Sequence, residues 1–537
     1  MQIISAEKAV SLIGDGWTIA SAGFVGAGHP ESLSRALEKR FLDTGTPRNL
    51  TLVYAAGQGD RDARGAARFA YEGLLKRVIG GHWLGTGPRM ARLVNENKIE
   101  AYNLPQGVIA HLYRAIAGHK PGVITKTGLH TFIDPRVDGA RLNAAAQEAI
   151  VELIQLRGED YLFYPSFPLN CSLIRASTAD EDGNLSMEDE ALTQDVLPLA
   201  QAARNSGGIV IVQVKRIVPK HSAPLSHVKV PGILVDYVVV AEDPLDHWMT
   251  YGEEHNPAYC GQRIEPAHDF KPEPLSLRKI IQRRAYQELE RLARDAPRLP
   301  VVNVGTGMPA GVGKIAREEG FSRFTMTIES GPIGGTPMES PSFGAALNPE
   351  CIVSHADQFD FYDGGGIDVS FLGLAEVDGR GNVNVSKFGS KVAGVGGFVN
   401  ITQSARHLVF MGALSAGGLE ISAGDGTLRI VREGAVRKFV ERVGHLSFNG
   451  PYTESLGITV RYVTERAVFE MRGGKLTLIE IAPGIDLERD VLARMDTQVA
   501  IAEPLRIMDA RIFRDAPMST SPDVHSYSRA GLTARAR

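Results

Sequence analysis

Twice along this chain an apolar, strand-like run ends in a glycine-rich loop that opens into a helical run. That repeated order restricts the fold more than any single residue does. In the first half, Trp17-Thr-Ile-Ala-Ser-Ala22 leads into Gly23-Phe-Val-Gly-Ala-Gly28-His-Pro30-Glu31 and a helical stretch from Ser32 to Phe41. In the second, Leu299-Pro-Val-Val-Asn-Val304 leads into Gly305-Thr-Gly307-Met-Pro309. A helix from Ser5 to Leu12 precedes the first unit, and Asn49-Leu-Thr-Leu-Val-Tyr54, ending in Ala55-Ala-Gly-Gln-Gly59, supplies a further strand. Alternation of this kind predicts an α/β fold with a mainly parallel open sheet. In such sheets ligands bind beyond the carboxyl ends of the strands.

The echo extends further along the chain. Thr178-Ala-Asp-Glu-Asp182-Gly-Asn-Leu-Ser186 resembles Leu374-Ala-Glu-Val-Asp378-Gly-Arg-Gly-Asn-Val-Asn384, and an apolar strand follows each (Ile209-Val-Ile-Val-Gln213 and Leu408-Val-Phe-Met411). Three matches in the same order predict a duplicated fold: two similar domains facing an interdomain cleft, a favoured place for small-molecule sites. Prolines at Glu265-Pro and Lys271-Pro-Glu-Pro274 mark the boundary. The expected organisation is an N-terminal domain over 1–272, a linker with an amphipathic helix over 273–297, a C-terminal domain over 298–515 and a flexible tail over 516–537. In that helix, from Leu277 to Arg294, Ile281, Ala285, Leu289 and Leu292 share one face.

Composition narrows the function classes. A chain of 537 residues exceeds a single ordinary core. The 58 glycines, about 11% against a usual ~7%, gather in short loops, which suggests tight turns around a ligand. The net charge of -4 includes no basic stripe interleaved with aromatics, so nucleic acid is not an expected partner. No apolar stretch reaches the ~20 residues of a membrane span, and Met1-Gln-Ile-Ile-Ser-Ala-Glu-Lys is no secretory signal. Cys171, Cys260 and Cys351 lie far apart without a CxxC pair, which predicts reduced thiols and a cytoplasmic protein. Cys351 and His355 are four apart, but no second pair joins them, so no metal is expected.

Glu329 is the residue that points to chemistry. It ends the β-rich run Phe324-Thr-Met-Thr-Ile328 and is followed at once by Ser330-Gly-Pro-Ile-Gly-Gly-Thr-Pro337. Glycines let a ligand approach the backbone, and prolines restrict the loop. A rigidly held carboxylate at a strand tip suits a covalent nucleophile; a carboxylate that merely accepts hydrogen bonds in its own turn is the plainer alternative. Two other segments add to it. Lys391-Val-Ala-Gly394-Val-Gly396-Gly397-Phe398-Val-Asn400 offers backbone N–H groups to an oxyanion or a narrow ligand tunnel. Asn103-Leu-Pro-Gln106-Gly107 fixes the backbone around an amide side chain. Either could equally be an ordinary turn.

Together these pieces resemble the family I CoA-transferases, above all the single-chain acetate/propionate CoA-transferases in which both halves are fused. The resemblance spans roughly residues 5–515 and rests on the Gly23–Glu31 loop, Gly80-Gly-His-Trp-Leu-Gly-Thr-Gly-Pro-Arg89 and Leu104-Pro-Gln-Gly107. It also rests on Glu329-Ser-Gly-Pro-Ile-Gly-Gly-Thr-Pro337, Gly394-Val-Gly-Gly-Phe398 and Ala482-Pro-Gly-Ile-Asp486. It implies a NagB/RpiA/CoA-transferase-like α/β fold in both halves and Glu329 as the nucleophile that forms a glutamyl-CoA thioester. The Gln106 amide and a backbone N–H at Gly396 or Gly397, with Gly397 preferred, would form the oxyanion hole. Gly394, Gly396, Phe398, Asn400, Gly26 and Gly28 would contact CoA or substrate.

The resemblance further implies acyl-CoA and a free carboxylate as substrates, no permanently bound cofactor, no metal, and a homodimer or homotetramer. Lys387 and Lys391 are candidate contacts to CoA, and Phe24, Val25 and Ala27 line an acyl pocket or pack the core. Three rivals stand beside the transferase: an acyl-CoA hydrolase on the same scaffold, a non-catalytic metabolite-binding protein and a sugar-phosphate isomerase.

Overall fold

The computed structural model describes residues 1–266, 272–294 and 296–519. Residues 267–271 at the expected boundary, and the expected tail from 520 onward, lie outside the described residues.

Two open sheets organise the chain. The main path of the first comprises β1 (Gln2–Ile3), β2 (Thr18–Ser21), β3 (Leu50–Tyr54), β4 (Leu75–Gly80), β5 (Glu100–Asn103), β6 (Cys171–Asp180), β7 (Ile209–Val218) and β8 (Tyr237–Val240), with two short strands, Leu185–Ser186 and Val228–Val230, attached antiparallel off that path. They run in the order β1-β8-β7-β6-β2-β3-β4-β5, and every pairing along that path is parallel. The second sheet begins with β9 (Val301–Val304), β10 (Thr325–Thr327), β11 (Pro332–Ile333) and β12 (Cys351–Ile352). It continues with β13 (Val369–Gly373), β14 (His407–Met411), β15 (Thr459–Val463), β16 (Ala467–Arg472), β17 (Lys475–Ile481) and β18 (Ala500–Ile507). Its order is β12-β11-β10-β9-β13-β14-β15-β16-β17-β18.

Five strands of each sheet therefore follow the same order: β8-β7-β6-β2-β3 in the first and β15-β14-β13-β9-β10 in the second. Beyond this shared part the first sheet extends with further parallel strands, whereas β11, β12, β16 and β17 join antiparallel. Helices expected from the sequence appear as α1 (Ala6–Ser11) and α2 (Glu31–Thr44). Three that frame the site are α3 (Gln106–Ala117), α4 (Val196–Asn205) and, later, α6 (His355–Asp363), with α5 (Leu277–Arg294) before it and α7 (Phe398–Ser404) after it.

The repeated Asp-Gly segments form the same turn. Asp180 Oδ1 accepts from the N–H groups of Asp182 and Asn184, and the Asn184 amide donates to Asp180 Oδ2. Asp378 Oδ1 accepts from Arg380 and Asn382, and the Asn382 amide donates to Asp378 Oδ2. Each asparagine then accepts a backbone N–H from a distant glycine, Gly232 or Gly450. The corresponding residues are Asp180 and Asp378, two positions earlier in the first half than the Asp182-Gly step suggests. Gly183 and Gly381 hold the matching left-handed positions, φ 87° and 69°.

Helix α5 spans the expected residues, but its amphipathic pattern misleads. Ile281, Ala285 and Leu289 are fully buried, each large side chain worth about 1.5–3 kcal/mol on removal from water. Lys279, Arg283, Arg284 and Glu288 on the charged side are buried as well. Arg284 lies 2.8 Å from both Glu288 and Glu480, and Lys279 lies 2.7 Å from Glu318. The helix packs on β14 and β15 and on the short helix Val312–Glu318, so carboxylates of the second half take the place of water.

The halves meet through α3 and α6. Gly107 makes the approach possible: a Cβ there would lie 2.5 Å from the Phe359 ring and 2.6 Å from the Asn400 amide. Arg114 of α3 reaches Asp360 at 2.9 Å.

Candidate active site

Glu329 follows β10 by two residues, beyond the strand's carboxyl end, in a turn. Its backbone is fixed from both sides. Ser330 Oγ donates to Gly344 O at 2.6 Å, and the Gln194 amide of the first half donates to Ser330 O at 3.0 Å. The half-buried carboxylate lines a cavity of about 480 Å³ between the halves, together with Gln106, Asn303, Gly394, Gly396, Gly397 and Phe398. Its Oε2 is buried without a hydrogen-bond partner. Burial raises the carboxyl above its ordinary value; its own N–H, nearby His355 and the Asn303 amide pull the other way. A desolvated, more basic carboxylate is a better nucleophile than one in water.

The opposite wall is stitched together across the halves. Asn103 at the end of β5 donates to Gly80 O and Gly81 O at 2.8 and 2.5 Å, and accepts from Val395 N–H at 3.0 Å. Gln106 N–H donates to Gly396 O at 2.9 Å, and Trp83 N–H to Ala393 O at 2.7 Å. Gly394 and Gly396 adopt φ 72° and 54°; a Cβ on Gly394 would meet Trp83 Cδ1 at 2.7 Å. The loop carries two adjacent N–H groups with different fates. Gly396 N–H donates to Gly81 O at 2.7 Å, while Gly397 N–H has no acceptor among the described residues. Gly397, with no acceptor for its N–H among the described residues, thus lines the same cavity as the unpartnered Glu329 oxygen.

A family model described as Coenzyme A transferase matches residues 3–241. Caffeate CoA-transferase of Acetobacterium woodii is 44% identical over 520 residues, covering 96% of this chain and 98% of that protein. The chain belongs to the coenzyme A transferase family. The acetate CoA-transferase YdiF of Escherichia coli O157:H7 is 42% identical over 519 residues, 96% of each chain. The crystal structure of the YdiF apoenzyme matches with a TM-score of 0.89 over 96% of both chains. A YdiF thioester complex with CoA matches with a TM-score of 0.88 at 41% identity, again over 96% of both. This coenzyme A transferase therefore shares the whole architecture of an acyl-CoA transferase, in the predicted α/β class, and CoA is its substrate.

Several residues expected at the site fall elsewhere. Gly26 and Gly28 do not line the cavity. Gly26 lies under Tyr251, where a Cβ would approach to 2.5 Å, and Gly28 needs its φ of 73° for the turn. Asn400 is buried, donating to Asp363 at 2.9 Å and accepting Gly107 N–H at 3.2 Å, so it joins α7 to α3. Ala27 is core beneath Phe24, whereas Phe24 and Val25 do line the cavity. Lys387 donates to Leu142 O at 2.7 Å and lines a neighbouring basin with Arg141 and His445. Lys391 stays in the cavity lining.

Other lining residues, Phe343 and Arg61 among them, carry no sequence signal of their own. Phe343 meets Phe24 with ring centroids 5.8 Å apart. Arg61 and Lys391 bring positive charge to the cavity, neither with an ion-pair partner among the described residues. His82 is held near pKa 4, by burial first and then by Arg61, so its ring is neutral at pH 7 and adds no charge. Cys351 and His355 hold no common position for a metal: His355 is buried beside Gln106, Cys351 is exposed, and the described residues contain no cluster of three or more metal-ligating side chains. No helix among the described residues is long and apolar enough to cross a membrane.

Proposed function

We propose that this coenzyme A transferase moves CoA from a short-chain acyl-CoA to a free carboxylate by a ping-pong route through a thioester on Glu329. Glu329 attacks the thioester carbonyl, and the C–S bond breaks to give a mixed anhydride and CoA thiolate. The thiolate attacks the Glu329 side-chain carbonyl, releasing the first carboxylate and leaving the glutamyl-CoA thioester. An incoming carboxylate runs the same steps in reverse. No net redox change occurs, and no nucleotide triphosphate is consumed. The Gln106 amide and Gly397 N–H receive the oxyanion of each tetrahedral intermediate.

One observation carries this reading: a buried carboxylate oxygen without a partner shares one cavity with a free backbone N–H and an amide. Each oxyanion donor contributes roughly 2.7–4 kcal/mol to the barrier reduction. Holding the carboxylate against the thioester supplies proximity, at most about 7–11 kcal/mol. Arg61 and Lys391 would attract the phosphates of CoA, and the Phe24–Phe343 pair favours small acyl groups. The reading includes no permanently bound cofactor, a cytoplasmic setting consistent with three free thiols, and a homodimer or homotetramer.

The test is intact and peptide mass after mixing with propionyl-CoA in the absence of acceptor. A CoA adduct on the Glu329 peptide, lost in Glu329→Ala and discharged by acetate as acetyl-CoA, is expected. Steady CoA release without an adduct would favour hydrolysis instead. No adduct and no turnover would leave a binding protein.

A further inference from the structure

Gln106 does not stand alone. Its Nε2 lies 2.8 Å from Nε2 of His355, and Nδ1 of the same ring lies 2.8 Å from Oδ2 of Asp195. All three side chains are buried, at 2%, 0% and 3% exposure. Gln106 and Asp195 belong to the first half, and His355 is the first residue of α6 in the second. The ring is fixed by Phe359 packing edge-on at 5.3 Å, and His355 N–H reaches Gln194 O.

We propose that Asp195 and His355 are positioning residues that set which end of the Gln106 carboxamide faces the reacting carbonyl. A carboxylate only accepts hydrogen bonds, so the proton of the neutral imidazole sits on Nδ1. Nε2 is then left as an acceptor and takes an N–H from Gln106. The amide nitrogen is held on the His355 side. An amide nitrogen carries two hydrogens; one goes to the ring, and the other remains for an oxyanion. If the ring took its other tautomer, Nε2–H would donate instead. The carboxamide would turn its oxygen to the ring, exchanging the positions of its donor and acceptor ends.

Asp195→Asn is the probe, because an asparagine amide can donate to Nδ1 and admit the other tautomer without changing shape. The inference rests on Gln106 as an oxyanion donor, so Gln106→Ala and the double variant are measured beside it with propionyl-CoA and acetate. Asp195→Asn and Gln106→Ala are each expected to lower kcat by about 10²–10³ with the KM for propionyl-CoA nearly unchanged. The double variant is expected to be no slower than Gln106→Ala. Imidazole nitrogen shifts in the ¹⁵N-histidine-labelled protein should report the proton moving from Nδ1 to Nε2 of His355 in Asp195→Asn.

A full-speed Gln106→Ala would remove the oxyanion reading itself. A slow Gln106→Ala beside a full-speed Asp195→Asn, or multiplied losses in the double variant, would overturn the positioning role alone. Should Asp195→Asn not fold, His355→Gln and His355→Ala decide the matter. The glutamine oxygen can accept from Gln106 and should restore at least tenfold over the alanine; equal losses would overturn the role.

Discussion

The two halves of this enzyme share five strands in one order and one Asp-turn, yet they differ at the position that matters. Asp180 and Asp378 each lie nine residues beyond a strand residue, Cys171 or Val369, that pairs with Ile19 or Val302 respectively. Ile19 faces Leu52, and Val302 faces Met326. Counting on three residues reaches Ala55 in the first half and Glu329 in the second. By the same register Ala20 stands where Asn303 does. The scaffold occurs twice, but the Glu329 carboxylate, the proposed nucleophile, and the Asn303 amide beside it occur once; the first half supplies the facing wall instead, with Gln106, Asn103 and Asp195.

The largest expected effect comes from removing that asymmetry. Glu329→Ala should lower turnover by about 10⁴ or more, read by acyl-CoA exchange, with the fold intact by circular dichroism. Retained activity would mean that another group carries the acyl transfer.

Buried ion pairs test whether the halves are stabilised alike. Arg175 lies 2.6 Å from Glu190 in the first half, and Arg284 2.8 Å from Glu480 in the second. Burial opposes ionisation of Glu190, but Arg175 and then His247 hold it at about 2. Arg175→Ala should cost about 3–5 kcal/mol in urea unfolding, because it removes the arginine from a buried carboxylate, whereas Arg284→Ala should cost less, because Arg506 still lies 2.9 Å from Glu480 and Arg461 still pairs with Glu288.

The paired turns give a smaller and sharper comparison. Asp180→Ala and Asp378→Ala should each lose about 1.5–3 kcal/mol, and by similar amounts. A difference beyond that range between them would break the equivalence of the two turns.

The smallest effect concerns the cost of burying the Glu329 carboxylate. Glu329 has a raised pKa in the folded enzyme, so the folded state binds the proton more tightly than the unfolded chain. Stability is full below the ordinary carboxyl value of 4.5 and falls as pH rises through the raised one. Glu329→Gln should therefore melt above the parent at pH 7 and level with it near pH 4. The first half, with Ala55 in that place, carries no such cost. A variant that melts at or below the parent at pH 7 would contradict it.

Much of this was legible in the chain. The strand–glycine–helix units pointed to the sheet type, and Glu329, Gln106 and the Gly394–Gly397 loop, singled out by their neighbours in sequence, come together in one cavity. Gly26, Gly28 and Asn400 were assigned to the ligand because a glycine or an amide in a loop signals unusual backbone or hydrogen bonding, without saying what it faces. In the fold, these three serve close packing against Tyr251, a tight turn and the α7–α3 junction. His355, Asp195 and Asn303 carry no local pattern at all; each acquires its role from partners brought close only by folding. The buried charges of α5 were hidden for the same reason, since Glu480 lies 196 residues from Arg284.

The wall that Asn103, Gly81 and Val395 build across the cleft has a consequence for concentration. Neither half holds a complete site, so two separate chains would have to find each other, and their activity would fall on dilution. One continuous chain makes that encounter intramolecular, at an effective concentration on the order of millimolar for a short tether. Activity per molecule should then be insensitive to dilution down to whatever level the assembly of whole chains requires. A protein cut between its halves would regain the bimolecular behaviour, losing specific activity as it is diluted.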